Sequence, residues 1–220
     1  MKITPYLIAT VVCLVAACGS PQHETEDSLP LKVAEAYGFA EFEKLGSLQY
    51  TWNVRVDSAT VRSRHWVWSP ASGEIRYSGA DTTVSYLQSE KDSSLNEVDS
   101  RFINDKYWLL FPFQLAWDQG NYDYQSTPGQ PAPISGVNTT KLTVVYNKED
   151  GYTPGDAYDL FLDEEYRIKE WVFRRGNGAT GRAMTWDNVK DFDGIKISMD
   201  HKDEKGNTVL WFSDVSVVTD

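Results

Sequence analysis

Cysteine is nearly absent from this chain. Cys13 and Cys18 are the only two in 220 residues, both at the N-terminal end, so no disulfide framework and no zinc-type Cys pair can organise the rest. Histidine is scarce as well, at three. There is no zinc-binding His pair on a helix, no Gly-x-Ser-x-Gly nucleophile turn and no phosphate loop. The sequence therefore reads as non-enzymatic, with no catalytic residues, cofactor or metal. Basic charge is also in deficit: 21 Lys and Arg face 32 Asp and Glu, a net charge of −11. Such a balance favours solubility and argues against nucleic acid as a partner. After residue 17 no apolar run is long enough to span a bilayer.

The N-terminal end has a different character. Met1-Lys2 supplies a short positive start, and Ile3 to Val15 an apolar stretch too short for a stable membrane span. Together they read as a signal peptide over residues 1–17. Val15-Ala16-Ala17-Cys18 has the small residues and terminal Cys of a bacterial lipobox, which makes Cys18 the expected lipidation site and the first residue of the mature chain. Its acyl chains would anchor the protein to a membrane, since each buried CH₂ contributes about 0.8 kcal/mol. Gly19, where an Asp would oppose it, is consistent with outer-membrane sorting in the bacterial envelope, facing the periplasm. Residues 18–29 are polar, acidic and Pro-containing, as a flexible tether should be.

Residues 30–220 read as one domain. Ser28 and Pro30 start a short helix that Gly38 stops, and Ala40 to Leu45 forms a second. Period-two alternation follows: Tyr50, Trp52, Val54 and Val56 oppose Thr51, Asn53, Arg55 and Asp57, and Trp66 and Trp68 sit on a neighbouring strand. Short strands at this spacing predict an antiparallel meander of about ten strands. Glu97 to Leu110 looks helical and ends before Pro112. Lys106 to Phe113 is the most apolar run of the mature chain, so it is either buried or a binding surface. Trp117 to Pro133, with Pro128-Gly129 and Pro131-Ala132-Pro133, reads as a mobile loop. Ala183 to Val218 reads as three strands, joined by turns at Asp191-Phe192-Asp193-Gly194 and at Asp203 to Asn207. His201, next to Asp200 and the second turn, reads as exposed turn chemistry. Arg174-Arg175 reads as a solvated turn, with lipid phosphate as the sharper alternative.

Aromatics are the one abundant resource, with 8 Trp and 12 Tyr. Trp52, Trp66, Trp68, Tyr86, Trp108, Phe111, Phe113, Trp171, Phe173, Trp186 and Trp211 are scattered over many strands and the helical segment. On a curved sheet they would line one hydrophobic cavity; in an ordinary domain they would fill a core. A pocket of several hundred cubic ångströms distinguishes the two.

A lipobox, a short helix pair and a long meander interrupted by an apolar helical segment end here in Phe192-Asp193-Gly194-Ile195-Lys196-Ile197, Asp203-Glu204-Lys205-Gly206 and Asp214-Val215. This order resembles the LolA/LolB lipoprotein-carrier superfamily, and within it a group of uncharacterised bacterial lipoproteins. The resemblance implies a mainly β fold with short helices: a curved antiparallel half-barrel, incompletely closed, with a helical lid over its concave face. It also implies a non-enzymatic function, the non-covalent binding of a lipid or lipoprotein acyl chain. A cavity arginine described for the carriers has no unique counterpart here: Arg62, Arg64 and Arg76 are all candidates, and none is carried over. A lipidated Cys18 departs from a soluble shuttle and favours a resident binder or acceptor. The alternatives are a structural or interaction lipoprotein with a filled core, and a surface glycan binder.

Overall fold

The computed structural model describes residues 28–80, 82–149 and 153–219. The signal segment, Cys18 and most of the tether lie outside the described residues. Helix α1 (Leu29–Ala36) and one-turn helix α2 (Phe39–Phe42) precede four strands: β1 (Leu45–Arg55), β2 (Val61–Ser69), β3 (Glu74–Ser78) and β4 (Thr83–Leu87). Helix α3 (Asn96–Trp117) then leads to β5 (Tyr122–Pro131), β6 (Asn138–Tyr146), β7 (Ala157–Leu162), β8 (Ile168–Arg174) and β9 (Arg182–Thr185). The chain ends with β10 (Asp187–Phe192), β11 (Ile195–Lys202) and β12 (Thr208–Thr219).

These twelve strands form two antiparallel sheets that do not close on one another. The larger has the order β10-β11-β12-β1-β2-β3-β4, the smaller β5-β6-β7-β8-β9. Helix α3 lies in the hollow between them. Its Phe102 meets Trp66 and Trp68 of the larger sheet, and its Trp108 and Phe111 meet Trp171 of the smaller. The expected antiparallel assembly with a helix across its concave side is thus the fold observed.

Three local readings change. The C-terminal meander holds four strands instead of three, because the chain leaves one sheet at Thr185 and joins the other at Asp187, with Trp186 buried at the crossing. Helix α3 runs seven residues past Leu110. Pro112 lies inside it, and the backbone bends at Leu110 (φ −121°, ψ 23°) to accommodate the ring and the missing N–H. The segment read as a mobile loop contains β5, an edge strand whose register shifts between Thr127 and Gln130, around Pro128-Gly129. An edge tolerates proline because its outer N–H groups need no partner. The turn after β5 is strapped to the sheet: the buried Glu170 carboxylate accepts hydrogen bonds from the N–H of Ile134 (2.6 Å) and Ser135 (2.9 Å).

Strand β12 changes phase part-way along its length. Leu210 and Phe212 face the core, which puts Trp211 on the outer face beside Arg55, 5.6 Å from its guanidinium. An extra residue then enters β12 where Thr51 pairs with Ser213 but Gln49 pairs with Ser216. Asp214 takes it up with φ +53°. This bulge reverses the alternation, so that Val215 and Val217 pack against the core.

Candidate functional site

The aromatics do not line one cavity; nine of the eleven fall into three groups, and Trp186 and Trp211 stand apart. Trp52, Trp66, Trp68 and Tyr86 belong to the larger sheet, where they are buried with Tyr50, Ile75 and Tyr77. Phe111 and Phe113 are fully buried on α3, and Phe113 packs against Phe42 at 4.7 Å. Tyr107, Leu109 and Leu110 are buried beside them. The segment Tyr107 to Phe113 is therefore a strut gripped by both sheets, not a flap free to lift. Trp186 lies deep at the sheet crossing, and Trp211 points outward.

The third group, Trp108, Trp171 and Phe173, borders a groove of about 330 Å³ between α3 and the smaller sheet. Helix α3 supplies Ser100, Ile103, Asn104, Tyr107 and Trp108, at spacings of three and four that put them on one face. Tyr158 of β7 completes the apolar lining, and Thr153, Asp156 and Arg175 form a polar rim. Trp108 and Trp171 meet edge to face at 4.7 Å, and Tyr158 stacks on Trp171 at 5.5 Å. The volume falls at the small end of ligand sites, roughly 300–1,000 Å³. Three wider surface hollows, of about 380, 400 and 610 Å³, are lined mostly by charged and polar side chains and have no comparable aromatic wall.

Two polar sites support this groove from behind. Tyr107 and Tyr146 both donate to the Asp118 carboxylate, at 2.9 and 2.8 Å, and burial pushes both phenols well above their ordinary pKa. They remain neutral donors, and Tyr107 is held in place at the groove wall. His201 lies behind Trp108 and Trp171, fully buried among Trp108, Trp171, Trp186 and Phe212. This corrects its reading as exposed turn chemistry. Its Nδ1 is 3.0 Å from the Thr185 carbonyl, so Nδ1 carries the proton of the neutral ring. Nε2 has no well-formed hydrogen bond. Burial lowers the His201 pKa to about 4, against the pull of the Thr185 and Trp108 carbonyls and of Asp200 and Asp187. Pro112 has no N–H to offer the Trp108 carbonyl four residues earlier, which leaves that oxygen free to face the ring.

Of the three arginines, Arg62 and Arg76 are exposed and only Arg64 turns inward. It forms a two-point pair with the fully buried Asp105 of α3, at 2.7 and 2.5 Å, while its guanidinium covers Trp52 at 3.8 Å. Trp66 Nε1 donates to the same carboxylate at 2.9 Å. This cluster ties α3 to the larger sheet. Arg174 is not a solvated turn residue, because it pairs with Asp159 at 2.8 Å. Arg175 is exposed and reaches the groove rim. Sequence alternation did not single out Ile103, Tyr107, Tyr158 or Thr153. The spacing of Ile103 and Tyr107 along the helix was the available signal.

No family model matches the chain, and no curated protein matches it. Among solved structures it is similar to a DUF1329 family protein from Desulfovibrio piger ATCC 29098, at 12% identity and TM-score 0.49, over 86% of this chain and 90% of that one. It is also similar to a LolA superfamily protein from Nitrosomonas europaea, at 12% identity and TM-score 0.46, over 84% of this chain and 92% of that one. At these values no function passes from either protein. Among the described residues, no helix is long and apolar enough to cross a membrane.

Proposed function

We propose that this chain is a membrane-anchored lipoprotein of the bacterial envelope that binds an acyl chain non-covalently in the groove between α3 and the smaller sheet. The groove carries the proposal: Ile103, Trp108, Tyr158, Trp171 and Phe173 make an apolar trough under a polar rim, the form expected of a site for an amphiphile. Binding is driven by apolar area leaving water, about 25 cal/mol per Å², and needs no chemical step. The lipobox at Cys18 supplies the anchor, and the outer membrane, facing the periplasm, is its destination.

A chain starting after Cys18 keeps every described helix and strand, so binding can be measured on it without the anchor. Organic extract of this purified domain should contain a co-purified lipid, and titration with a fatty acid should change the fluorescence of Trp108 and Trp171. A clean extract with no fluorescence change would favour a second reading, a structural or interaction lipoprotein. That reading has its own support in the solid aromatic packing on either side of α3. A fluorescence response to oligosaccharides alone would point to the glycan binder. In cells, Cys18→Ser should move the chain from the membrane fraction to the soluble fraction.

A further inference from the structure

One buried titratable side chain shares its walls with the groove. The His201 ring has no exposure and lies against Trp108 (5.5 Å), Trp171 (6.5 Å), Trp186 (4.7 Å) and Phe212 (6.0 Å). Trp108 and Trp171 also border the groove. Burial keeps the ring neutral near pH 7, its pKa lowered to about 4. The neutral ring uses one nitrogen: Nδ1–H donates to the Thr185 carbonyl at 3.0 Å, and Nε2 is unpaired. A second acceptor is in place, because the Trp108 carbonyl faces the ring and Pro112 has no N–H to claim it. An imidazolium donates from both nitrogens, so each of its N–H groups has a carbonyl to meet. The carboxylates acting on the ring are Asp200 of β11 and Asp187 of β10. Both are engaged already: Asn188 donates to Asp200 at 2.9 Å, and Lys202 pairs with Asp187 at 3.0 Å. Helix α3, β8 and β12 meet the ring through Trp108, Trp171 and Phe212.

We propose that His201 is a proton-operated release for the groove: uptake of a solvent proton at Nε2 and occupation of the groove by an apolar chain oppose each other. This rests on the acyl-binding reading above and adds its regulation. The sign follows from what a ligand changes. The two carbonyls, the two carboxylates and the four rings surround His201 whether the groove is full or empty. A hydrocarbon in the groove displaces water from beside Trp108 and Trp171, and a buried cation costs more as water recedes. Linkage requires the converse: the protonated chain holds the hydrocarbon less tightly, by the same factor. Acid is therefore the release signal.

The test uses the domain that starts after Cys18 and 1-decanol, an apolar chain with no group that ionises in this range. The His201 ring signal and the Trp108 and Trp171 indole signals are followed by NMR from pH 7 to pH 3.5. His201→Gln, Trp108→Phe and Trp171→Phe serve only to assign them, so the result is read on the natural residues. At pH 7 decanol should shift both indole signals. Saturating decanol should lower the midpoint of the His201 titration by about 0.7 in pH, the counterpart of an about fivefold loss of affinity on protonation. If the indole signals respond but the midpoint stays or rises, the release fails while the acyl groove stands. Loss of the folded spectrum before His201 titrates would also overturn it, since release would then be unfolding. If decanol leaves the indole signals in place at pH 7, both readings fail.

Discussion

His201 shows how much a single side chain depends on its surroundings. Its folded pKa of about 4 lies below the ordinary 6.5, so the unfolded chain takes up the proton first. Its contribution to stability is complete above about pH 6.5 and declines as the pH falls toward 4. The full loss is on the order of 3 kcal/mol. Asp105 acts in the opposite sense, since burial raises its pKa and acid relieves that penalty. Denaturant unfolding at pH 7 and pH 4.5 should therefore compare the natural chain with His201→Gln, in which the Asp105 effect cancels. The natural chain should lose more stability between the two pH values; equal losses would place His201 in contact with water. Arg64 is a second case. Arg64→Met strands a carboxylate that has no exposure, and should cost about 3–5 kcal/mol in the same assay. Neither role was legible in the sequence. A His beside an Asp and a turn, and an Arg on an alternating strand, describe many exposed residues. Burial comes from segments far away: Trp108 and Trp186 for one, Asp105 for the other.

Secondary elements were legible where local signals agree. Alternation located β1 and β2, and the Gly-containing turns at Gly194 and Gly206 located their hairpins. It failed where one residue changes the phase. Asp214 is such a residue: strict alternation would place Leu210 and Phe212 on one face and Val215 and Val217 on the other. The bulge puts all four on one side. Asp214→Gly, suited to φ +53°, should leave stability unchanged or raise it slightly, whereas Asp214→Val should cost about 1–2 kcal/mol by thermal unfolding. Equal effects would mean that β12 can shed the bulge. Helix α3 was truncated on the sequence by the ordinary rule for proline; the helix passes it with a bend at Leu110 because packing from both sheets outweighs the lost bond. Gly38 marks a joint that no local pattern reveals. A Cβ there would lie 2.0 Å from the Gly194 carbonyl oxygen, so α1 and the β10–β11 turn can meet only at glycine. Gly38→Ala should lower the melting temperature by several degrees, and an unchanged melt would show that the joint yields.

At the scale of the whole molecule, two open sheets share one helix as their common core. The larger sheet grips α3 through Phe102 and the Arg64–Asp105 pair. The smaller one grips it through Trp171 and Tyr158, leaving a groove along the second contact. The sequence could show that aromatics were plentiful and the sheet antiparallel. It could not show that most of these rings would be spent on packing, because the chain's change of sheet at Trp186 decides which rings face each other. Only Trp108, Trp171 and Phe173 of the expected set reach the groove. Diffraction from the domain soaked with a bromine-tailed fatty acid tests the central claim most directly. Anomalous bromine signal between Trp108, Tyr158 and Trp171 is the predicted result. Bromine found only at other surfaces, with this groove empty at saturating ligand, would contradict it.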